Sequence, residues 1–477
     1  MKAEPAGEAR ATNGDRPAVG DPRRILVVGM GITGRAVADS CLRRDMAVRA
    51  ADDRPTDAAR IAASDRGIDL VEAPDVAELE DMVLWADVVV PSPGVPRGHA
   101  IYTLADRLGV PLVGELDLAA SWDDRPIVAV TGTNGKTTVT TLIASMLQAG
   151  GHSAVAAGNT EIPLVEAIDR DVRREIEWFV VEASSFRLER ARLFHPRVAV
   201  WLNLAPDHLD WHGDIDSYRR AKSRIWALAG PGDTVVVPMS GPEIQAEALG
   251  TTAEVVGFGE GGTVIEGLVL AGQAQVVGGW IVDQLGRRVV AVDQMARHRP
   301  HDVANALAAV AAAAACGVEP EPMARVLRRF EGLPHRLMRI ARSGGVDWYD
   351  DSKATTPEAA VAAVSGFESV VLLAGGSDKG LDLAPLLAVT PRIRALVAMG
   401  ETAPALVELF SGTVPVVTAS DMAAAVEAAG RLAMPGDAVL LSPACASFDA
   451  YRNYAERGDE FIRIVARTIE SMEEDRR

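Results

Sequence analysis

Ile127-Val128-Ala129-Val130-Thr131-Gly132-Thr133-Asn134-Gly135-Lys136-Thr137-Thr138 decides the reading of this chain. Its first four residues are an apolar run of strand length and Thr138 to Gln148 reads as a helix, so a glycine loop joins strand to helix. Backbone amides of such a loop, with the N-terminus of the following helix, cradle phosphate oxygens. Lys136 then neutralises terminal phosphates, and Thr137 offers its hydroxyl to magnesium. The pattern is the short Gly-x-x-Gly-Lys-Thr form, with Val130 where the full P-loop carries glycine.

Toward the N-terminus the same grammar recurs. Ile25 to Val28 reads as a strand, Gly29-Met30-Gly31-Ile32-Thr33-Gly34 as a turn, and Arg35 to Arg44 as a helix. A second apolar run, Ala47 to Ala51, ends at Asp52 and Asp53, about 20 residues after the glycines, the spacing of a dinucleotide site. Asp87 to Val90 is a further strand, and the break Asp123-Asp124-Arg125-Pro126 starts a new domain.

Toward the C-terminus, strands are expected at Trp178 to Val181 and Val198 to Leu202, and the glycine-rich Gly257 to Trp280 suits a small antiparallel flap. Asp302 to Cys316 is helical by its alanines and Gly317 closes it. Gly332-Leu333-Pro334 marks another boundary. Beyond it, Val370 to Leu373, Ala395 to Ala398 and Ala438 to Leu441 read as strands and Met422 to Leu432 as a helix. Strands alternating with helices imply parallel sheets, so the fold class is α/β with domains at 23–124, 125–332 and 333–477 after a disordered tail at 1–22.

Composition bounds the function. The chain has 477 residues, enough for two to four domains at about 150 each. Lys plus Arg number 48 against 66 Asp plus Glu, a net charge of −18 that argues against holding nucleic acid by global electrostatics. Cys41, Cys316 and Cys445 fall in no disulfide or zinc spacing, which suits a reducing cytoplasm. No signal segment is expected, and the most apolar stretch, Ala306 to Val318, is too short to insert in a membrane.

Polar residues gather where strands end, the place ligands occupy in open α/β sheets. Glu182 follows one strand as a carboxylate for the P-loop metal. Asn203 to His212 follows the next, with His208 able to ligate a second cation and Asp207 or Asp210 able to orient it. Trp348 to Thr356, Gly375 to Lys379 and Ser442 to Asp449 place lysines and hydroxyls on a further rim. Cys445 has no histidine to activate it and reads as a small semi-buried thiol. The first glycine loop leaves a nicotinamide dehydrogenase open, and the P-loop alone leaves a non-enzymatic nucleotide switch open.

Taken together, Gly132 to Thr138, Glu182-Ala183-Ser184-Ser185-Phe186, Asp207-His208-Leu209-Asp210, Pro334-His335-Arg336, Asp351-Ser352-Lys353-Ala354-Thr355 and Ser442 to Asp449 resemble the Mur ligases. The resemblance spans about residues 23 to 465 in unbroken motif order. It implies Rossmann-like first and third domains around a P-loop ATPase domain. The implied activity is ATP-dependent addition of D-glutamate to UDP-N-acetylmuramoyl-L-alanine through an acyl phosphate, in peptidoglycan precursor synthesis. L-glutamate, or the chemistry of another Mur-type, folylpolyglutamate-like ligase, is the alternative. The Asp-Asn-Pro-Arg motif of diaminopimelate-adding members is absent, which supports glutamate.

Residue by residue, the resemblance gives ATP to Gly132, Thr133, Asn134, Gly135, Lys136, Thr137, Thr138, Asn305, Arg336, Asp351 and Lys353, with His335 nearby. The UDP substrate falls to Ile32, Thr33, Gly34, Asp52, Asp53, Arg54, Ser92, Gly94, Asn159 and His208, and glutamate to Thr355, Lys379, Ser447, Phe448 and Tyr454. Two magnesium ions are implied at Thr137, Glu182, His208 and Lys222, the last as a carbamate. Lys136, His208, Lys222 and Lys379 are the implied catalytic set, and a cytoplasmic monomer whose third domain closes over the nucleotide is expected. Asp302 stands where asparagine is usual near adenine, and Thr356 replaces an asparagine after Ser-Lys-Ala-Thr.

Overall fold

The computed structural model describes residues 22–159, 162–377 and 382–474. The expected tail therefore lies outside the described residues except for Pro22, as does Lys379. The chain divides into two compact units, one ending at Arg329 and one beginning at Phe330.

The first unit holds two sheets. Asp69–Glu72, Ala47–Asp52, Arg24–Val28 and Val88–Pro91 lie side by side in that order, all parallel. The larger sheet has nine strands among the described residues, ordered Arg288–Ala291, Trp280–Val282, Gly272–Val277, Glu254–Phe258, Thr234–Pro238, Val198–Trp201, Ile127–Thr131, Trp178–Glu182 and Ala154–Gly158. Ile127–Thr131 sits inside it and every one of its residues is buried, as expected of a parallel strand covered on both faces. Helix Lys136–Ala149 packs against helix Pro300–Ala315, whose run of buried alanines lets it lie close.

The second unit carries one sheet, ordered Met338–Ser343, Val346–Asp350, Ala438–Leu441, Val370–Gly375, Ile393–Met399 and Val416–Thr418. It is parallel except for the Met338–Ser343 edge. Helix Tyr454–Glu474 packs against that edge pair.

Two expectations need correction. The flap is displaced: its antiparallel strands are Gly272–Val277, Trp280–Val282 and Arg288–Ala291, and it continues the large sheet through a parallel pairing of Gly272–Val277 with Glu254–Phe258. Gly259, Gly261, Gly262 and Gly267 all have positive φ, so that stretch turns rather than pairs. The helices after both glycine loops also start earlier than expected, at Ile32 and Lys136, because the loop winds directly into the first turn.

Candidate active site

The second glycine loop is shaped by side chains as well as by its own backbone. The Asn203 Oδ1 accepts the amides of Thr133 and Asn134 at 3.0 and 2.9 Å, and the Thr133 hydroxyl accepts the Ala205 amide at 3.0 Å. Gly135 is left-handed at φ 84°, and a Cβ there would lie 2.6 Å from Asn305 Oδ1, so only glycine lets Asn305 sit against the loop. Thr137 and Thr138 are half-buried in the first turn of the helix.

Lys136 Nζ donates to the carbonyls of Gly132 and Thr133 at 2.9 and 2.8 Å. Lys222, from helix Ile215–Ser223, donates to the same Gly132 carbonyl at 2.8 Å and lies over the Tyr218 ring at 4.4 Å. Lys222 is 1% exposed. Burial, and then the charge of Lys136, hold its ammonium well below the usual lysine range, against the opposing pull of Asp207 and Glu182. Two amines on one carbonyl in a dry site favour one of them neutral.

Glu182 ends its strand buried, with Oε1 accepting Asn159 Nδ2 at 3.1 Å and Oε2 buried without a hydrogen-bond partner among the described residues. His208 has a left-handed backbone at φ 53°, a conformation uncommon for residues other than glycine. Its Nε2 lies 3.4 Å from Asp207, one of its two expected partners, and its ring meets the edge of Phe186. Nothing is described of the Asp210 side chain.

This donor set suits magnesium. Glu182 offers an unpaired carboxylate oxygen and Thr137 a hydroxyl, both hard oxygen donors. No group of three or more His, Cys, Asp and Glu side chains able to hold a metal occurs among the described residues. A cation there would depend on water and substrate phosphates, which is the habit of magnesium.

The first loop is built for close approach. A Cβ on Gly34 would fall 1.9 Å from the Gly29 carbonyl, and Ser92 donates to that carbonyl at 2.6 Å. Asp52 accepts the Met30 amide at 2.6 Å and the Arg54 amide at 2.9 Å, so its carboxylate braces the loop itself, while Asp53 meets His99 Nε2 at 3.3 Å. Ile32 is exposed beside it, and so is Gly94. Thr33 accepts Arg187 Nη2 at 2.9 Å, and Arg187, itself 8% exposed, also pairs with the buried Glu115. A shallow cleft opens here, lined by Ser92, Arg97, Glu115, Arg187, Arg190 and Trp211. Sequence reading named Asn203 only as the first residue of a polar cluster, without its part in bracing the loop, and missed Arg187, which directly follows the Glu182 to Phe186 motif.

In the second unit, Asp351 accepts the Ser442 hydroxyl at 2.8 Å and the Leu337 amide at 3.0 Å, and burial pushes its carboxyl up to about 7. His335 Nδ1 lies 2.6 Å from the buried Asp350, with Arg336 half-buried next in sequence. Lys353 Nζ stands 3.7 Å over the Tyr454 ring, and Thr355 follows two residues on, half-buried. Ser447 Oγ is buried without a hydrogen-bond partner among the described residues, and Phe448 beside it is exposed. Cys445 is buried, its sulfur 3.4 Å from the Thr402 hydroxyl. Asp302 is taken up by Arg297 at 2.9 Å, which accounts for a carboxylate where the resemblance led one to expect an amide.

Residues 23–114 match the family model of the Mur ligase MurD-like N-terminal domain, 130–313 that of the Mur ligase middle domain, and 335–445 that of the Mur ligase glutamate ligase domain. The UDP-N-acetylmuramoylalanine--D-glutamate ligase of Pelotomaculum thermopropionicum is 39% identical over 455 residues, covering 93% of this chain and 97% of that protein. The chain belongs to the Mur ligase family.

Another Mur ligase, the UDP-N-acetylmuramoylalanine--D-glutamate ligase of Frankia casuarinae, is 40% identical over 457 residues, covering 92% of this chain and 93% of its own length. The UDP-N-acetylmuramate-alanine ligase MurC of Thermotoga maritima superposes with a TM-score of 0.56 over 93% of this chain and 99% of that one. At 18% identity it speaks to the shared three-domain α/β architecture alone. As a Mur ligase the chain is an enzyme that makes a bond at the expense of ATP.

Proposed function

We propose that this Mur ligase joins D-glutamate to UDP-N-acetylmuramoyl-L-alanine, forming an amide and releasing ADP and phosphate in peptidoglycan precursor synthesis. The observation that carries the reading is the pair Lys136 and Lys222 on one carbonyl of a phosphate loop, beside the unpaired oxygen of Glu182. The relatives' names supply the substrate pair. In this reading 23–124 binds the UDP substrate, 125–332 binds ATP, and 333–477 binds the amino acid.

Two anions have to react, the alanyl carboxylate and the γ-phosphate, so their repulsion must be cancelled before in-line attack. Lys136 supplies one positive charge at the loop. Magnesium, when held by Thr137, Glu182, His208 and a carbamylated Lys222, would neutralise the phosphates and polarise the phosphorus. Lys222 reaches that form because its neutral amine adds to carbon dioxide, forming an N–C bond and losing one proton. The substrate carboxylate takes the γ-phosphoryl group and ADP leaves.

The glutamate amine, held as the free base among Thr355, Lys379, Ser447, Phe448 and Tyr454, then attacks the acyl carbon. Phosphate departs, and the proton lost by nitrogen goes to a nearby base, for which His208 is our choice when its acceptor nitrogen is not holding the cation. Asn305, Arg336, Asp351 and Lys353 are assigned to ATP. Ile32, Thr33, Gly34, Asp52, Asp53, Arg54, Ser92, Gly94 and Asn159 are assigned to the UDP substrate. We take the enzyme to be a cytoplasmic monomer; among the described residues no helix is long and apolar enough to cross a membrane.

The test is phosphate release with UDP-N-acetylmuramoyl-L-alanine and ATP against a panel of amino acids in both hands. D-glutamate is expected to give turnover at least ten times that of L-glutamate. Lys136→Ala is expected to abolish acyl phosphate formation while the UDP substrate still binds. Preference for another amino acid would sink the substrate assignment, and equal loss of both activities would sink the division of labour.

A further inference from the structure

Lys353 is one of only five lysines in the chain, with Lys2, Lys136, Lys222 and Lys379. Its ammonium lies 3.7 Å from the centre of the Tyr454 ring, well inside the range of a cation–π contact. The backbone that carries that ring is tied down. The Ser352 hydroxyl, one residue before Lys353, donates to the Tyr454 carbonyl at 2.7 Å. Arg457, one turn along the same helix and 2% exposed, donates through Nε to the Ser352 hydroxyl at 3.0 Å and through Nη2 to the Ser352 carbonyl at 2.8 Å.

The other nitrogen of Arg457, Nη1, reaches the carbonyls of Cys445 and Ala446 at 3.2 Å, directly before Ser447. A Cβ on the next residue, Gly458, would meet His335 at 2.1 Å, so the helix start is also wedged against the His335 ring. One short turn thus ties the loop bearing Lys353 to the loop bearing Ser447. A lysine side chain has four rotatable bonds and loses that freedom when fixed, so a surface that holds its head before phosphate arrives lowers the cost of reaction.

We propose that Tyr454 is a positioning residue whose ring face seats the Lys353 ammonium for the transferred phosphate, with Arg457 fixing that seat to the Lys353 loop. The proposal deepens the reading of Lys353 as a phosphate-binding lysine and rests on it. The ring face is the active part, and the phenolic hydroxyl is dispensable for it.

The experiment uses full-length protein labelled with 13C at lysine Cε, in which five lysines give few enough signals to resolve. The Lys353 signal is the one lost in Lys353→Arg. Its ε-protons are expected upfield of the ordinary lysine position in the wild type and in Tyr454→Phe, and back at that position in Tyr454→Leu. At saturating substrates, kcat of Tyr454→Leu is expected about 3- to 30-fold below that of Tyr454→Phe, with KM for the UDP substrate unchanged. An ordinary Lys353 shift in the folded wild type, or equal kcat in the two variants, overturns the proposal. The spectra do not depend on turnover, so a wrong substrate assignment would leave the lysine shift in place and be recognised separately.

Discussion

The Gly132 carbonyl accepts two lysines, and the chemistry of each follows from its surroundings. Lys136 stands half-buried at the loop, whereas Lys222 is sealed off and its proton is held loosely. Arginine could not replace the second, because a guanidinium does not give up its proton in proteins. Lys222→Arg should therefore lose nearly all turnover, and 13C spectra of the wild type under labelled carbon dioxide should show a carbamate carbon that the variant lacks. A wild type without that signal would remove the bridging carboxylate from the mechanism. Asp351 makes a second test possible at this scale. Its folded-state carboxyl is raised from 3.8 to about 7, so the native state binds a proton more tightly than the unfolded chain does. Its contribution to stability is greatest below 3.8 and is lost as pH rises through about 7. Denaturant titrations should show wild type losing ground to Asp351→Asn across that window, and parallel curves would contradict the assignment.

At the scale of elements, the glycine loops are where backbone meets backbone. Helix Ile32–Leu42 approaches the end of strand Arg24–Val28 so closely that any side chain at Gly34 strikes the Gly29 carbonyl. Gly34→Ala should push this helix away, lowering stability by about 2 kcal/mol or more and weakening the UDP substrate over tenfold while the ATPase loop keeps its nucleotide. Urea titration and substrate binding measure the two effects, and an unchanged protein would mean the turn has slack. Both loops could be read from the chain because glycine, strand and helix signals are local. Strands such as Ile127–Thr131 and Ala438–Leu441 were legible for the same reason, being short apolar runs between punctuating residues. The flap was not, since glycines in that stretch announce turns without saying which neighbours pair. Nor were the parts played by Asn203 and Arg187, or the burial of Lys222, legible in the sequence. Each acquires its part only when helix Ile215–Ser223 or a strand end is brought against a loop some 70 to 150 residues away.

At the scale of the whole molecule, the first unit joins its two sheets through buried charge. Asp169, with a side chain 7% exposed, sits on helix Leu164–Arg170 of the large sheet and pairs with Arg43 and Arg44 from the small one, while also accepting the Ser40 hydroxyl. Arg187 adds a second tie by bridging Glu115 and Thr33. Asp169, Arg187 and Glu115 are enclosed and costly to leave unpaired, so separating the sheets would strand them at once. The two sheets should then unfold as one block, although the second unit has its own core. A ligand that touches only the first unit raises the stability of that block by RT ln(1 + [L]/Kd), about 2.7 kcal/mol at a hundredfold excess over Kd. Calorimetry with UDP-N-acetylmuramoyl-L-alanine and no nucleotide should therefore shift one transition upward and leave that of the Phe330–Arg477 unit in place. Asp169→Ala should lower the shifted transition, because one of the ties between the sheets is gone while the Arg187 bridge remains. A shift shared by both units would place the substrate, or part of it, on the second one.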